Sequence, residues 1–455
     1  PAAPARWSAA RGWPPPPAHA RSAIGHRCHG GHGPLADLTI GMRRCRLAAE
    51  WVLPMTGPPI ARGAVLIGSD GRIESVAADD HVPRPGDVVE ERYDSGILLP
   101  GLINTHTHLE LTGLAGGPPG SDFTGWVLGV RQAKAARSAE AFREAARRGV
   151  MDCWAGGVTT VADTGDSGAV IAALAELGGS GVVYHEVFGP HPGQVAESLA
   201  GLRAAVTRLS RHAAGRVRIG VSPHAPYTVS GDLYAATAAY AAAEGLPLAV
   251  HLAESRAESE LLGQGSGTFA DAWGRRGIPL PPRPGRSPVE WLDAHDVLGE
   301  RTLCIHVVRA SGRDLDCLAR RGVAVAHCPL SNRAHGHGNA PLGDMLDRGL
   351  RVGVGTDSVL SVGVLDLLAE ARAARALAGL DAAAALALCT TGAAAAIGLA
   401  GEIGSLEPGH WGDCVVLEPA TSDLGPEERA LACAPGDVVA TYLGGRAVYR
   451  TRAAS

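Results

Sequence analysis

Three patterns in the sequence predict an α/β fold. Eight short apolar runs alternate with Ala-rich helical stretches, each run ends in His, Asp, Glu, Ser or Asn, and strand-and-turn sequence occupies both ends of the chain. Alternating β and α segments imply a parallel sheet, and polar residues at every strand end imply chemistry gathered on the carboxyl face of a closed barrel. The expected architecture is a (β/α)8 TIM barrel with a small β-sandwich domain formed by the N- and C-terminal segments. A doubly wound open sheet would instead concentrate its site at one switch point, usually beside a Gly-rich phosphate loop, and no such loop is found in the sequence.

Residues 1–41 are rich in Pro, Ala, Gly, Arg and His and show no apolar signal-peptide core, so they read as a disordered leader. Within it, "GHRCHGGHG" is low-complexity sequence rather than a metal site. Residues 42–95 supply the first part of the small β domain, where "AVLIGSDGRIESVAA" has the alternation and Asp-Gly turn of a hairpin. Residues 96–401 hold the barrel runs: "GILLPGLINTH", "GVTTVADTG", "GVVYHEVFG", "VRIGVSPHAPY", "PLAVHLAES", "TLCIHVV", "GVAVAHCPLSN" and "RVGVGTDS". The helical stretch "VRQAKAARSAEAFREAARR" after the first run carries Lys134, the only lysine of the chain. Residues 402–455, with "GSLEPGHWGDCVVLE" and "VVATYLGGRAVYR", return to strand and turn and complete the small domain.

At 455 residues the chain exceeds the usual size of one domain. Hydrophobic residues make up 46% and charged residues 19%, with a net charge of −5, a balance that argues for a globular protein and against a nucleic-acid partner. No apolar stretch approaches the roughly 20 residues of a membrane span. The nine cysteines form no CxxC pair, so a disulfide framework is not expected. The reading is a cytoplasmic protein that acts on a small molecule, without nucleic acid or membrane as partner.

The stretch "LLPGLINTHTHLELTG" places His106 and His108 one residue apart at the end of an apolar run. Residues two apart in a strand point to one side, so both imidazoles face the barrel axis. His251, His306 and Asp357 end other runs. Imidazole and carboxylate donors suit zinc or a similar divalent ion, and a set of this kind leaves a position open for water, the mark of a catalytic rather than a structural site.

The motifs "PGLINTHTHLE", "HLAESRAE", "HCPLSN" and "GTDS", in this order, resemble the deaminase and chlorohydrolase branch of the amidohydrolase superfamily. The resemblance runs from Met42 to the C-terminus. It implies one divalent metal ion, zinc first and iron(II) as the alternative, held by His106, His108, His251 and Asp357. It also implies Glu254 as the proton shuttle, His306 as the second catalytic residue, and Asp357 as acceptor of the proton of water. Two-metal members bridge their ions with a carboxylated lysine at the end of the fourth strand; here that strand ends in "SPHAPY", so one ion is expected.

"LEL" followed by "DFTGWV", and the long segment after the fifth run, resemble the aminodeoxyfutalosine deaminases of the futalosine route to menaquinone. That resemblance implies hydrolysis of 6-amino-6-deoxyfutalosine, a nucleoside with a carboxyphenyl-propanone tail, to futalosine and ammonia. The alternatives within the superfamily are a guanine or S-adenosylhomocysteine deaminase and a triazine-type chlorohydrolase. Phe123 and Trp126 are expected to wall the tail, Glu110 to bond the ribose or base, and His224 and Tyr227 to bind substrate. Glu186, Ser331 and Asn332 are expected at the mouth, Glu258 in solvent, and His335 and His337 in a loop. A homodimer, common in this superfamily, is compatible with these features. Deletion of residues 1–41 is expected to leave thermal unfolding and turnover unchanged, because the stretch has too little apolar surface to offset the cost of ordering it. A truncated chain that fails to fold contradicts this reading of the leader.

Overall fold

The computed structural model describes residues 43–114, 122–281, 285–420 and 423–451, and the leader lies outside the described residues. Four strands open the fold: β1 (Cys45–Val52), β2 (Ile60–Ile67), β3 (Ile73–Ala78) and β4 (Val89–Pro100). Eight follow: β5 (Leu102–Thr107), β6 (Val158–Gly165), β7 (Ser180–Val187), β8 (Val217–Pro223), β9 (Leu248–Leu252), β10 (Thr302–His306), β11 (Ala324–His327) and β12 (Arg351–Val354). Three more close the chain: β13 (Cys414–Leu417), β14 (Val438–Leu443) and β15 (Arg446–Arg450).

The terminal strands form one seven-stranded mixed sheet in the order β15-β14-β13-β4-β1-β2-β3. The ends of the chain meet where β13 runs antiparallel to β4. The Asp-Gly hairpin forms as expected between β2 and β3, with Gly71 at φ 79°. That backbone conformation carries no Cβ penalty in glycine.

The first apolar run is divided between two sheets. Ile97–Pro100 pair with β13, whereas Leu102 onward belongs to β5. Gly101 lies between them, and a Cβ there would stand 2.3 Å from the Thr159 side chain. Periodicity does not reveal the change of sheet, because the residues on both sides of Gly101 are fully buried strand. The long helical stretch also divides, into helices Phe123–Ala135 and Ala139–Ala155. Ser138 caps the second by accepting from the Ala141 N–H at 3.1 Å.

Strands β5 to β12 lie side by side in sequence order in an eight-stranded parallel sheet, curled into a nearly closed (β/α)8 barrel. At the seam, Thr107 bridges Asp357 in parallel pairing, and the Asp357 N–H donates to the His106 carbonyl at 3.0 Å. Asn104 reinforces the seam: its Nδ2 donates to Thr356 Oγ1 at 2.8 Å and its Oδ1 accepts the Thr356 N–H at 3.1 Å. Two glycines let the edges approach. A Cβ on Gly353 would stand 2.4 Å from Thr105 Cγ2, and one on Gly355 would stand 2.6 Å from the His106 nitrogen.

No helix among the described residues is long and apolar enough to cross a membrane. The seam generates a prediction. Gly355→Ala is expected to destabilise the fold by about 1–3 kcal/mol, the usual cost of forcing atoms into a packed site, or by more because the atoms met are backbone. Thermal unfolding reads this directly, and a melting temperature equal to that of the parent contradicts so tight a seam.

Candidate active site

The carboxyl ends of four barrel strands converge on one point. β5 brings His106, with His108 just beyond its last residue; β9 brings His251, with Glu254 two residues past its end; β10 ends in His306; and Asp357 follows β12. The backbone here is unusual. Ala253, His306, Val307 and Asp357 have φ of 51°, 72°, 49° and 58°, a region that residues with a Cβ seldom occupy and that clusters at functional sites.

The His106 and His108 rings are 4.7 Å apart, and the His106 and His251 rings 4.9 Å. One donor atom from each of these three imidazoles lies within 4.8 Å of the others. Asp357 Oδ1 faces the same point, 3.6 Å from His106 Nε2 and 3.5 Å from His108 Nε2. Its Oδ2 is occupied on the far side, accepting from Ser331 Oγ at 2.5 Å and Ser361 Oγ at 3.1 Å.

The protonation states suit a cation. Burial holds all three imidazoles below the usual histidine range, His108 at about 3, so they are neutral with a free lone pair. In spite of its burial the Asp357 carboxyl is held well below the usual carboxylate range, the contact with His106 coming first among the causes that lower it, and Ser331 and Ser361 donate to its Oδ2. His108 Nδ1 lies 2.9 Å from the Thr164 carbonyl and His251 Nδ1 3.1 Å from that of His224, contacts that direct each Nε2 toward the common point. Both His106 ring nitrogens are buried without a hydrogen-bond partner. Buried polar atoms are rarely left unpaired, and three neutral imidazoles with one carboxylate fit a divalent ion.

A second group, Glu186, His224 and His251, also brings three donor atoms within 4.8 Å. It shares the His251 imidazole, whose Nδ1 is committed to the His224 carbonyl, so His251 Nε2 serves only one group at a time.

Beside these residues opens a cavity of about 640 Å³, lined among others by Phe123, Trp126, Lys134, Asp166, Glu186, Phe188, His224, Tyr227, Glu254 and His306. Phe123 and Trp126 stack in near-parallel planes with centroids 5.9 Å apart. Glu254 is buried, with Oε1 3.6 Å from His306 Nε2 and 3.4 Å from His337 Nε2, while Tyr227 donates to Oε2 at 3.4 Å. Burial works to raise its carboxyl, yet His306 and His337 hold it down at about 2.

Three residues expected to touch substrate stand behind the cavity wall instead. Ser331 bonds Asp357, Asn332 Oδ1 lies 2.9 Å from His306 Nδ1, and the Glu110 carboxylate is taken by Ser167 and by Lys134 at 2.6 Å. Glu258, expected in solvent, is fully buried and bonded to backbone. His337 lies in a loop as expected, and from there its Nε2 comes within 3.4 Å of Glu254 Oε1. Sequence reasoning also missed Lys134, whose ammonium pairs with Asp166 at 2.6 Å and lies 4.0 Å from Glu186. Its signal was present: it is the single lysine of a chain whose other Lys/Arg cations are all arginine.

The Amidohydrolase family profile matches residues 97–448. A 5-methylthioadenosine/S-adenosylhomocysteine deaminase of Symbiobacterium thermophilum is 30% identical over 90% of this chain and 94% of its own length. An aminodeoxyfutalosine deaminase of Deinococcus radiodurans is 31% identical over 72% of this chain and 79% of its own. Among solved structures, a zinc-bound adenosine deaminase from Xanthomonas campestris superposes with a TM-score of 0.76 over 89% of this chain and 92% of its own, a likeness of fold at 23% identity. The chain belongs to the amidohydrolase family and is a hydrolase acting on C–N bonds.

Proposed function

We propose that the protein is a metal-dependent deaminase of adenine-nucleoside-like substrates, with 6-amino-6-deoxyfutalosine as the substrate that fits its cavity best. The observation that carries the reaction class is the pairing of a neutral three-histidine donor set with a buried anionic glutamate across one cavity. In this reading His106, His108, His251 and Asp357 hold one divalent ion, zinc or iron(II). The chemistry supplied by such an ion is the activation of water, whose pKa falls from about 15.7 to about 7.

The remaining steps belong to the chain. Glu254 starts as a carboxylate, so it first accepts one proton of the attacking water and then gives it to the ring nitrogen next to the amino-bearing carbon. The second proton passes through Asp357 to the amine, which leaves as ammonia while the carbon becomes a carbonyl. His306 orients the attacking oxygen, and Asn332 fixes the ring through its Nδ1. His224 and Tyr227 hold the base.

The gap of 4.0 Å between Lys134 Nζ and Glu186 Oε2 suits a hydroxyl that accepts from one and donates to the other, as a sugar hydroxyl does. The stacked pair Phe123 and Trp126, with Phe188, offers an apolar wall to an aromatic tail. Arg131 and Arg276 also line the cavity, and their side chains make no ion pair or hydrogen bond among the described residues, so they are available to a tail carboxylate. A second reading, 5-methylthioadenosine or S-adenosylhomocysteine as substrate, is favoured by the 30% identity to the Symbiobacterium thermophilum relative over 90% of this chain.

Ammonia release from a panel of aminopurine nucleosides by metal-loaded enzyme separates the readings. Aminodeoxyfutalosine is expected to give the highest kcat/KM, and a preference for methylthioadenosine overturns the finer assignment while leaving the reaction class intact. His106→Ala and His251→Ala are each expected to lose metal and turnover together, with elemental analysis finding about one ion per wild-type chain; two tightly held ions contradict the mononuclear reading. Glu254→Gln keeps size and reach but removes the transferable proton. It is expected to retain the metal while kcat falls by about 10² to 10⁴-fold, and a kcat within about threefold of wild type removes Glu254 from the mechanism.

A further inference from the structure

Glu254 reaches the cavity from a turn that the chain does not adopt readily. Ala253, at φ 51°, sits in the left-handed region between the end of β9 and Glu254. That conformation turns two consecutive N–H groups, of Ala253 and Glu254, to the same side. Both end on one side chain: Glu258 Oε1 accepts from Ala253 and Oε2 from Glu254, each at 2.8 Å. Glu258 has no solvent exposure and lies in the first turn of helix Arg256–Gln264, whose N-cap Ser255 accepts the Glu258 N–H at 3.2 Å. A solvated glutamate would gain nothing from this placement, since burying a carboxyl is costly unless its oxygens are bonded.

We infer that Glu258 is a positioning residue for the reaction, a two-oxygen clamp that holds the Ala253–Glu254 turn in its left-handed form and so fixes the Glu254 carboxylate against His306 and the cavity. The clamp requires an acceptor at both positions, hence the ionised carboxyl: burial pushes Glu258 up to about 8, and the N–H bonds of Glu254 and Ala253 work against that rise. Glutamine offers one acceptor and one NH2, and whichever way its amide turns, a donor faces a backbone donor. The mismatch is relieved by letting the turn relax, and the Glu254 side chain moves with it.

The same device recurs at two other active-site turns. Asp163 Oδ2 accepts the Leu109 N–H at 2.7 Å, one residue beyond His108. Glu370 Oε2 accepts the Leu330 N–H at 2.9 Å, one residue before Ser331, which bonds Asp357. Both carboxylates are buried, and each comes from a neighbouring element. Glu258 is the only one of the three that holds two N–H groups and the only one adjoining a residue with a proposed proton-transfer role.

This inference rests on the reading of Glu254 as the shuttle, and a double-mutant cycle on the full-length, metal-loaded protein keeps the two apart. Glu258→Gln alone is expected to lower kcat by about 10 to 100-fold, the usual range for a residue that orients a functional group, with metal content and KM little changed. In the Glu254→Gln background the same substitution is expected to cost less than about threefold, because the group it orients no longer transfers protons. Equal losses in the two backgrounds overturn the clamp and leave Glu258 a general structural residue. A small effect of Glu254→Gln itself overturns the shuttle reading instead.

Hydrogen exchange gives a readout independent of activity. In Glu258→Gln the Ala253 and Glu254 amides are expected to exchange about tenfold faster or more, with β9 unchanged. Unchanged protection at those two amides overturns the clamp even if no substrate is turned over. Should Glu258→Gln fail to fold, Glu258→Asp, which keeps both acceptors on a shorter stem, carries the same two measurements. Its shorter stem is expected to hold only one of the two N–H groups, so that at least one of the Ala253 and Glu254 amides loses protection and kcat falls with it; a loss of kcat with both amides fully protected overturns the clamp.

Discussion

The donor set exists because the barrel closes. His106 stands on the first barrel strand and Asp357 just past the last, and they meet only where these two ends join through the Thr107–Asp357 bridge and the Asp357-to-His106 hydrogen bond. The same seam places Asp357 Oδ1 opposite both histidines of the first strand. Asn104 and Thr356 fasten it side chain to side chain, and Gly353 and Gly355 make room for it. A barrel of seven strands, or one with its seam displaced by a residue, would turn one member of the set away, since successive strand residues face opposite sides.

Burial then assigns charge. The same desolvation that keeps His106, His108 and His251 neutral would also neutralise carboxyls, as it does at Glu186, whose carboxyl it pushes up to about 8. Asp357 and Glu254 stay below the usual range: the contact with His106 and the serine donors hold Asp357, and His306 and His337 face Glu254. One pocket therefore holds neutral donors and ionised acceptors within a few ångströms of each other. Divergent protonation of neighbouring groups is what acid–base chemistry at neutral pH requires.

Much of this was legible in the sequence, for physical reasons that also mark where it stopped. Period-two placement of His106 and His108, and polar residues at the ends of eight apolar runs, specify strands and a face without any knowledge of contacts. Sheet membership is different: "GILLP" and "LINTH" are equally buried strand, and the change of sheet falls at Gly101, packed against Thr159. That Ser331, Asn332 and Glu110 face Asp357, His306 and Lys134 depends on which side of a turn each side chain takes, and composition carries no record of that. Lys134 lies on a helix distant in sequence from Glu186, so no local pattern could bring them together.

The account rests on one ion held across the seam, and a crystal of the zinc-loaded protein measured at the zinc absorption edge tests that most directly. A single anomalous peak is predicted about 2.0–2.2 Å from one nitrogen each of His106, His108 and His251 and from an Asp357 oxygen. A peak among Glu186, His224 and His251 instead, or two peaks of comparable height, would contradict the claim that closure of the barrel builds the reactive centre.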